Sequence, residues 1–132
     1  MRKIKGLILM FLLSFLLLGL AGCNSSGNVS YYKQITAEEA KKIMDTQKNY
    51  VIIDARTQEE FAQGHIEGAI LIPEYEISQK AEIHIPNKDE LILVYCRSGR
   101  RSKIASEELV KLGYTNVKEF GGIINWPYDV VK

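Results

Sequence analysis

The chain has 132 residues, 46% of them hydrophobic and 25% charged, with a formal net charge of +1. That length argues for one domain, the apolar share excludes a disordered chain, and the charge balance excludes a nucleic-acid-scale basic excess. Two cysteines, Cys23 and Cys96, are too few for a disulfide framework.

Arg2, Lys3 and Lys5 precede an apolar run, Gly6–Leu20. At about 1.5 Å per residue that run reaches roughly 22 Å, short of a bilayer core of about 30 Å. A cationic start, a short apolar run and a small-residue exit predict a secretory signal over residues 1–22. The exit, Leu20-Ala21-Gly22-Cys23, resembles the box of bacterial lipoproteins. The resemblance implies cleavage before Cys23, a diacylglycerol on its thiol and an acylated, palmitate-type new N-terminus. The expectation is a chain held on the cell membrane by lipid, at its extracytoplasmic face, since two or three acyl chains anchor stably. The competing reading is an uncleaved N-terminal anchor. Residues 23–31, rich in Asn, Ser and Gly, read as a flexible tether, and residues 32–132 as the folded domain. Three of the 17 basic residues lie in the leader, so residues 23–132 carry 14 basic against 16 acidic residues, a formal charge of −2.

Within the domain, Thr36-Ala37-Glu38-Glu39 is a capping box that opens a helix with Ala40, Ile43 and Met44 on one face. Tyr50-Val51-Ile52-Ile53 is a continuous β-branched run, the pattern of a strand buried on both faces. A second capping box, Thr57 to Glu60, starts a helix that Gly64 stops. Ala69–Ile72 predicts a strand ended by Pro73, Glu76–Glu82 a short helix, and Leu91–Tyr95 the strongest strand. Ser102–Leu112 predicts a helix, with Ala105, Leu109 and Leu112 on one face and Gly113 as its stop; Val117–Phe120 is a last short strand. Strands and helices alternating at this spacing predict an α/β fold, a mostly parallel central sheet with helices on both faces. Ligands of such sheets gather beyond the carboxyl ends of the strands. Two strands end there in polar residues, one at Asp54-Ala55-Arg56 and one at Cys96.

Cys96-Arg97-Ser98-Gly99-Arg100-Arg101-Ser102 joins the strongest strand to the best helix. A loop entering a helix points unpaired amides inward, and these, with the helix dipole, attract an anion. Arg97, Arg100 and Arg101 add positive charge, and Gly99 allows a backbone angle that side chains resist. A thiol in that setting ionises more readily than free cysteine, so Cys96 is a candidate nucleophile. The competing reading is a buried structural cysteine beside a solvated basic loop. Ser102 is expected to cap the following helix.

This segment resembles the active-site loop of rhodanese-like domains, and the resemblance runs over Tyr32–Lys132. It is carried also by Ile53-Asp54-Ala55-Arg56, Glu60-Phe61, Gly64 to Ala69, Ile72-Pro73, and Gly121-Gly122-Ile123 with Trp126. The resemblance implies a thiosulfate sulfurtransferase-like enzyme. Cys96 would take a sulfane sulfur from a small anionic donor such as thiosulfate, and the persulfide would pass it to cyanide, a thiol or another acceptor. Amides of residues 97–101 would hold the persulfide. Arg97 and Arg100 would draw the donor, while Arg101 would order the loop by pairing with an acid. Related cell-cycle phosphatases place their arginine one position further on, and the tighter ring here suits a sulfur atom better than a phosphate. No cofactor is implied, because the cysteine itself carries the sulfur.

Asp54 and Arg56 are expected as supporting residues at the edge of the site, Asp54 within reach of a loop arginine and Arg56 in a structural ion pair. His65 is expected to bond backbone, His84 to lie on the surface, and Trp126 to pack; two isolated histidines make no metal site. Glu59 and Glu60 read as helix-start acids. The expected partners are the sulfur donor, its acceptor and the membrane, with no nucleic acid and a monomeric chain. The alternative to an enzyme is a non-catalytic rhodanese-like module that binds a partner or senses sulfur or redox state. With Cys23 acylated, no second thiol would remain to resolve an oxidised Cys96.

Overall fold

A computed structural model describes residues 31–132; the segment expected as a leader, Cys23 and the expected tether up to residue 30 lie outside the described residues. Five strands form one parallel sheet: β1 (Lys33–Gln34), β2 (Val51–Asp54), β3 (Ala69–Leu71), β4 (Ile92–Cys96) and β5 (Val117–Gly122), in the order β1-β5-β4-β2-β3. The helices are α1 (Ala37–Thr46), α2 (Gln58–Gln63), α3 (Ile77–His84) and α4 (Arg100–Lys111), with single 3-10 turns at Glu74–Glu76 and Ile123–Asn125.

Successive strand residues point to opposite faces, so a run without polar alternation needs cover on both sides. β4 is buried along its whole length, and β2 at Ile52, Ile53 and Asp54. On one face Ile53, Ile92 and Val94 pack with Ile77 and Ala81 of α3 and Ala105 and Leu109 of α4. On the other, Ile52, Leu93, Tyr95 and Phe120 pack with Ala40 of α1, flanked by Ile43, Met44 and Trp126. The fold is the α/β architecture read from the alternation of elements.

Both capping boxes form. Thr36 accepts from the Glu39 amide at 3.1 Å while Glu39 accepts from the Thr36 amide at 2.8 Å. Thr57 and Glu60 do the same at 3.3 and 3.0 Å. Two elements depart from expectation. β1 consists of two exposed polar residues and exists through its pairing with β5, Lys33 with Lys118 and Gln34 with Glu119. α4 begins at Arg100 rather than Ser102, because Gly99 takes φ +105° and turns the chain into the helix early.

Candidate active site

The carboxyl ends of β2, β4 and β5 are neighbours in the sheet, which brings the Asp54, Cys96 and Gly122 segments to one edge. Cys96 ends β4, paired across the ladder with Gly122 after a register shift. Gly122 is held there by space: a Cβ on it would stand 2.1 Å from the Arg97 carbonyl oxygen and 2.6 Å from the Ser98 Cα. The end of β5 therefore lies flat against the back of the loop, and the Ile124 amide bonds the Arg97 carbonyl at 3.2 Å.

The sulfur faces donors. The Gly99 amide donates to Cys96 Sγ at 3.0 Å, and the thiol reaches Ser102 Oγ at 3.4 Å. Burial pushes the thiol pKa up. The Ser102 hydroxyl and the amides of Ser102, Gly99 and Ser98 outweigh it and hold the thiol below its ordinary value. Among the amides acting on the sulfur is that of Ser102, one beyond the 97–101 set expected. At rest Cys96 is 1% exposed and belongs to the apolar cluster under α4. The site thus combines inward-facing amides with a covered sulfur.

Ser102 does not cap α4. It is the third residue of the helix, fully buried, with Gly99 in the cap position. Its hydroxyl lies 3.0 Å from the Gly99 carbonyl and 2.6 Å from Glu119 Oε1, so it serves the interior rather than a free amide. Asp54 meets Arg56, not a loop arginine. Arg56 Nη2 and Nε donate to its carboxylate at 2.7 and 2.9 Å, and the Tyr95 hydroxyl donates to it at 2.5 Å. Arg56 also ties the Gly64 carbonyl at 2.7 Å. Burial, then the Asp54 charge, pushes the Tyr95 phenol well up, so it stays a donor. His65 stacks on Phe61 at 3.7 Å and its Nδ1 lies 2.9 Å from the Phe61 carbonyl. His84 is exposed, and Trp126 is half-buried against Phe120.

The acid that meets Arg101 is Glu60. The pair is bidentate at 2.8 and 2.8 Å and couples the Cys96 loop to α2. Arg101, helped by the Thr57 amide and hydroxyl, holds the Glu60 carboxyl down at about 2 against the effect of burial. Arg97, Ser98 and Arg100 are exposed, and neither arginine forms a salt bridge among the described residues. Three residues of the site had no site role from sequence: Glu60, read as a capping-box acid and as part of the family signature, Tyr95 and Glu119. The available signal was Glu119 beside Lys118 in the short strand Val117-Lys118-Glu119-Phe120, where two adjacent charges point to opposite faces and one of them must turn inward.

The Rhodanese-like domain family matches residues 36–127. The chain belongs to the rhodanese-like family. It is 41% identical over 80 residues to the thiosulfate sulfurtransferase PspE of Escherichia coli (strain K12), covering 61% of this chain and 77% of that protein. It is 30% identical over 104 residues to the adenylyltransferase and sulfurtransferase UBA4 of Candida albicans, and spans 24% of that longer protein and 74% of its own length. A solved rhodanese with anions from E. coli superposes at a TM-score of 0.60 with 37% identity, over 63% of this chain and 98% of that one. These relatives place the rhodanese-like domain among sulfurtransferases.

Proposed function

We propose that the protein moves a sulfane sulfur from a donor such as thiosulfate to a thiophilic acceptor through a persulfide on Cys96. The observation that carries this reading is the Gly99 amide 3.0 Å from Cys96 Sγ, within a loop whose amides lower the thiol's pKa. A persulfide is an anion that needs hydrogen-bond donors around it, and such a loop supplies them. Arg97 and Arg100, exposed on the loop that leaves Cys96, draw the anionic donor. Arg101 is engaged by Glu60 and orders the loop. Asp54 and Arg56 brace the neighbouring strand end. The thiosulfate sulfurtransferase named above supports the donor class, and the anions bound to the E. coli rhodanese support an anion-receiving site. Cys23 carries the lipid that anchors the chain at the extracytoplasmic face of the cell membrane, supported by the lipoprotein-like box behind the apolar run.

The full chain treated with thiosulfate is expected to gain the mass of one sulfur atom and to release thiocyanate on adding cyanide, with Cys96→Ser doing neither. A wild-type protein that takes up no sulfur refutes the reading. The 1% exposure of Cys96 favours a second reading, a module that binds a partner or senses sulfur without turnover. One dominant partner co-purifying equally with wild type and Cys96→Ser, without sulfur uptake, decides for it. Intact mass of the membrane-derived protein reads acyl groups on Cys23 and sulfur on Cys96 together.

A further inference from the structure

Glu119 is a carboxylate 2% exposed on a sheet strand, and no salt bridge reaches it among the described residues. Its Oε1 accepts from the Ser102 hydroxyl at 2.6 Å and from the Gly121 amide at 2.8 Å. Ser102 Oγ in turn lies 3.4 Å from Cys96 Sγ. Carboxylate, hydroxyl and sulfur therefore form one continuous buried chain, contributed by β5, α4 and β4.

The direction of the hydrogen bonds along that chain sets the charge at each end. A serine hydroxyl has one hydrogen. When it points to an ionised Glu119, the Ser102 oxygen faces Cys96 as an acceptor, and the sulfur must be a protonated thiol. When the sulfur is anionic, Ser102 turns its hydrogen to the sulfur, and its oxygen then accepts from a protonated Glu119. We propose that Glu119, acting through Ser102, takes the thiol proton when the persulfide forms and returns it when the sulfur leaves. The proposal rests on the persulfide reading above and adds where the proton resides.

The balance is complete with the reactants already named. Cys96 Sγ attacks the outer sulfur of thiosulfate; an Sγ–S bond forms, the S–S bond of thiosulfate breaks, and sulfite departs with its electron pair. The thiol proton passes to Ser102 Oγ as the Ser102 proton passes to Glu119. On discharge, cyanide attacks the outer sulfur, the Sγ–S electrons return to Cys96, and the proton comes back by the same path. Counting the outer sulfur of the persulfide, which carries the charge after loading, Cys96 and Glu119 together bear a single negative charge in both states, so neither half-reaction leaves a second charge uncompensated in the interior. Other charged groups packed around it are engaged or peripheral. Arg101 of α4 is held by Glu60, and Asp54 of β2 by Arg56. Tyr32, ahead of β1, feels Glu107 and Glu119 without a hydrogen bond to either, and Lys33 and Lys118 pair across β1 and β5 beside Glu119.

Glu119→Gln keeps an oxygen for Ser102 and Gly121 and cannot take a proton. Infrared difference spectra of the full chain, thiosulfate-loaded minus unloaded, are expected to show the carbonyl stretch of a protonated carboxyl in wild type. The band disappears on adding cyanide and never forms in Glu119→Gln. Persulfide formation in the variant is expected to slow roughly 10²-fold at neutral pH. The deficit shrinks as pH rises, because the proton must then leave to solvent; Glu119→Asp, which retains a carboxyl, restores the wild-type pH profile. A loaded wild type without the protonated-carboxyl band, or a deficit independent of pH, overturns the role of Glu119. The wild-type spectrum decides alone if Glu119→Gln fails to fold. Sulfur uptake without the band refutes only this inference, whereas no uptake at all refutes the persulfide reading.

Discussion

Replacing Glu60 with Gln cuts the tie between the Cys96 loop and α2. The Glu60 carboxyl sits at about 2 in the folded protein against 4.5 for the free group, chiefly through the Arg101 hydrogen bonds and in spite of burial. At about 1.36 kcal/mol per pH unit, that gap sets a ceiling of roughly 3.4 kcal/mol on what the ionised form adds to stability. Two facts lower it. The side chains of Arg101 and Glu60 are 22% and 25% exposed, and solvent weakens the pair. Gln also retains an oxygen for the Thr57 amide. A loss of about 1–2 kcal/mol at neutral pH follows. The sign with pH is fixed, since a carboxyl whose pKa is lowered by folding stabilises above its unfolded pKa and loses that contribution as pH falls toward the folded one. The difference between wild type and Glu60→Gln should therefore be full above about pH 5 and shrink steadily below it. Urea unfolding midpoints measured from about pH 6 to about pH 3 read this directly. Equal midpoints at neutral pH, or a difference constant across that range, refute the argument.

Three further outcomes can be checked with purified protein. Gly122→Ala forces a methyl against the Arg97 carbonyl, which backbone cannot evade by rotating a side chain; a loss of about 1–3 kcal/mol or more and a fall in sulfur transfer are expected, and an unchanged Tm contradicts the close approach. Ser106 carries a fully buried hydroxyl without a hydrogen-bond partner among the described residues, so Ser106→Ala should leave stability unchanged or raise it by up to about 1 kcal/mol, and a clear loss in Tm would contradict the unpaired hydroxyl. Arg97→Ala and Arg100→Ala, both at exposed positions, should raise the KM for thiosulfate several-fold, more strongly at low salt, with Tm nearly unchanged; a kcat loss at constant KM would place them in another role.

Local rules carried the reading of this chain a long way. The capping boxes at Thr36 and Thr57 depend on residues three apart, and both form because helix starts satisfy their own amides. The unbroken apolar runs at Val51–Ile53 and Leu91–Tyr95 reported a sheet covered on both faces, since no strand with a wet face tolerates them. The strand–loop–helix junction at Cys96 was visible for the same reason: amides at a helix entry have no local partners wherever such a junction occurs. The three pairings that define the site's interior obey no local rule. Arg101 and Glu60 are 41 residues apart, Tyr95 and Asp54 are 41 apart, and Ser102 and Glu119 are 17 apart. Sequence left Glu60 a helix-start acid and Ser102 a helix cap, because each residue type has a cheap local partner that it takes when nothing better is near. Only the parallel order of β5, β4 and β2 brings their carboxyl ends together and offers those side chains stronger partners in the interior.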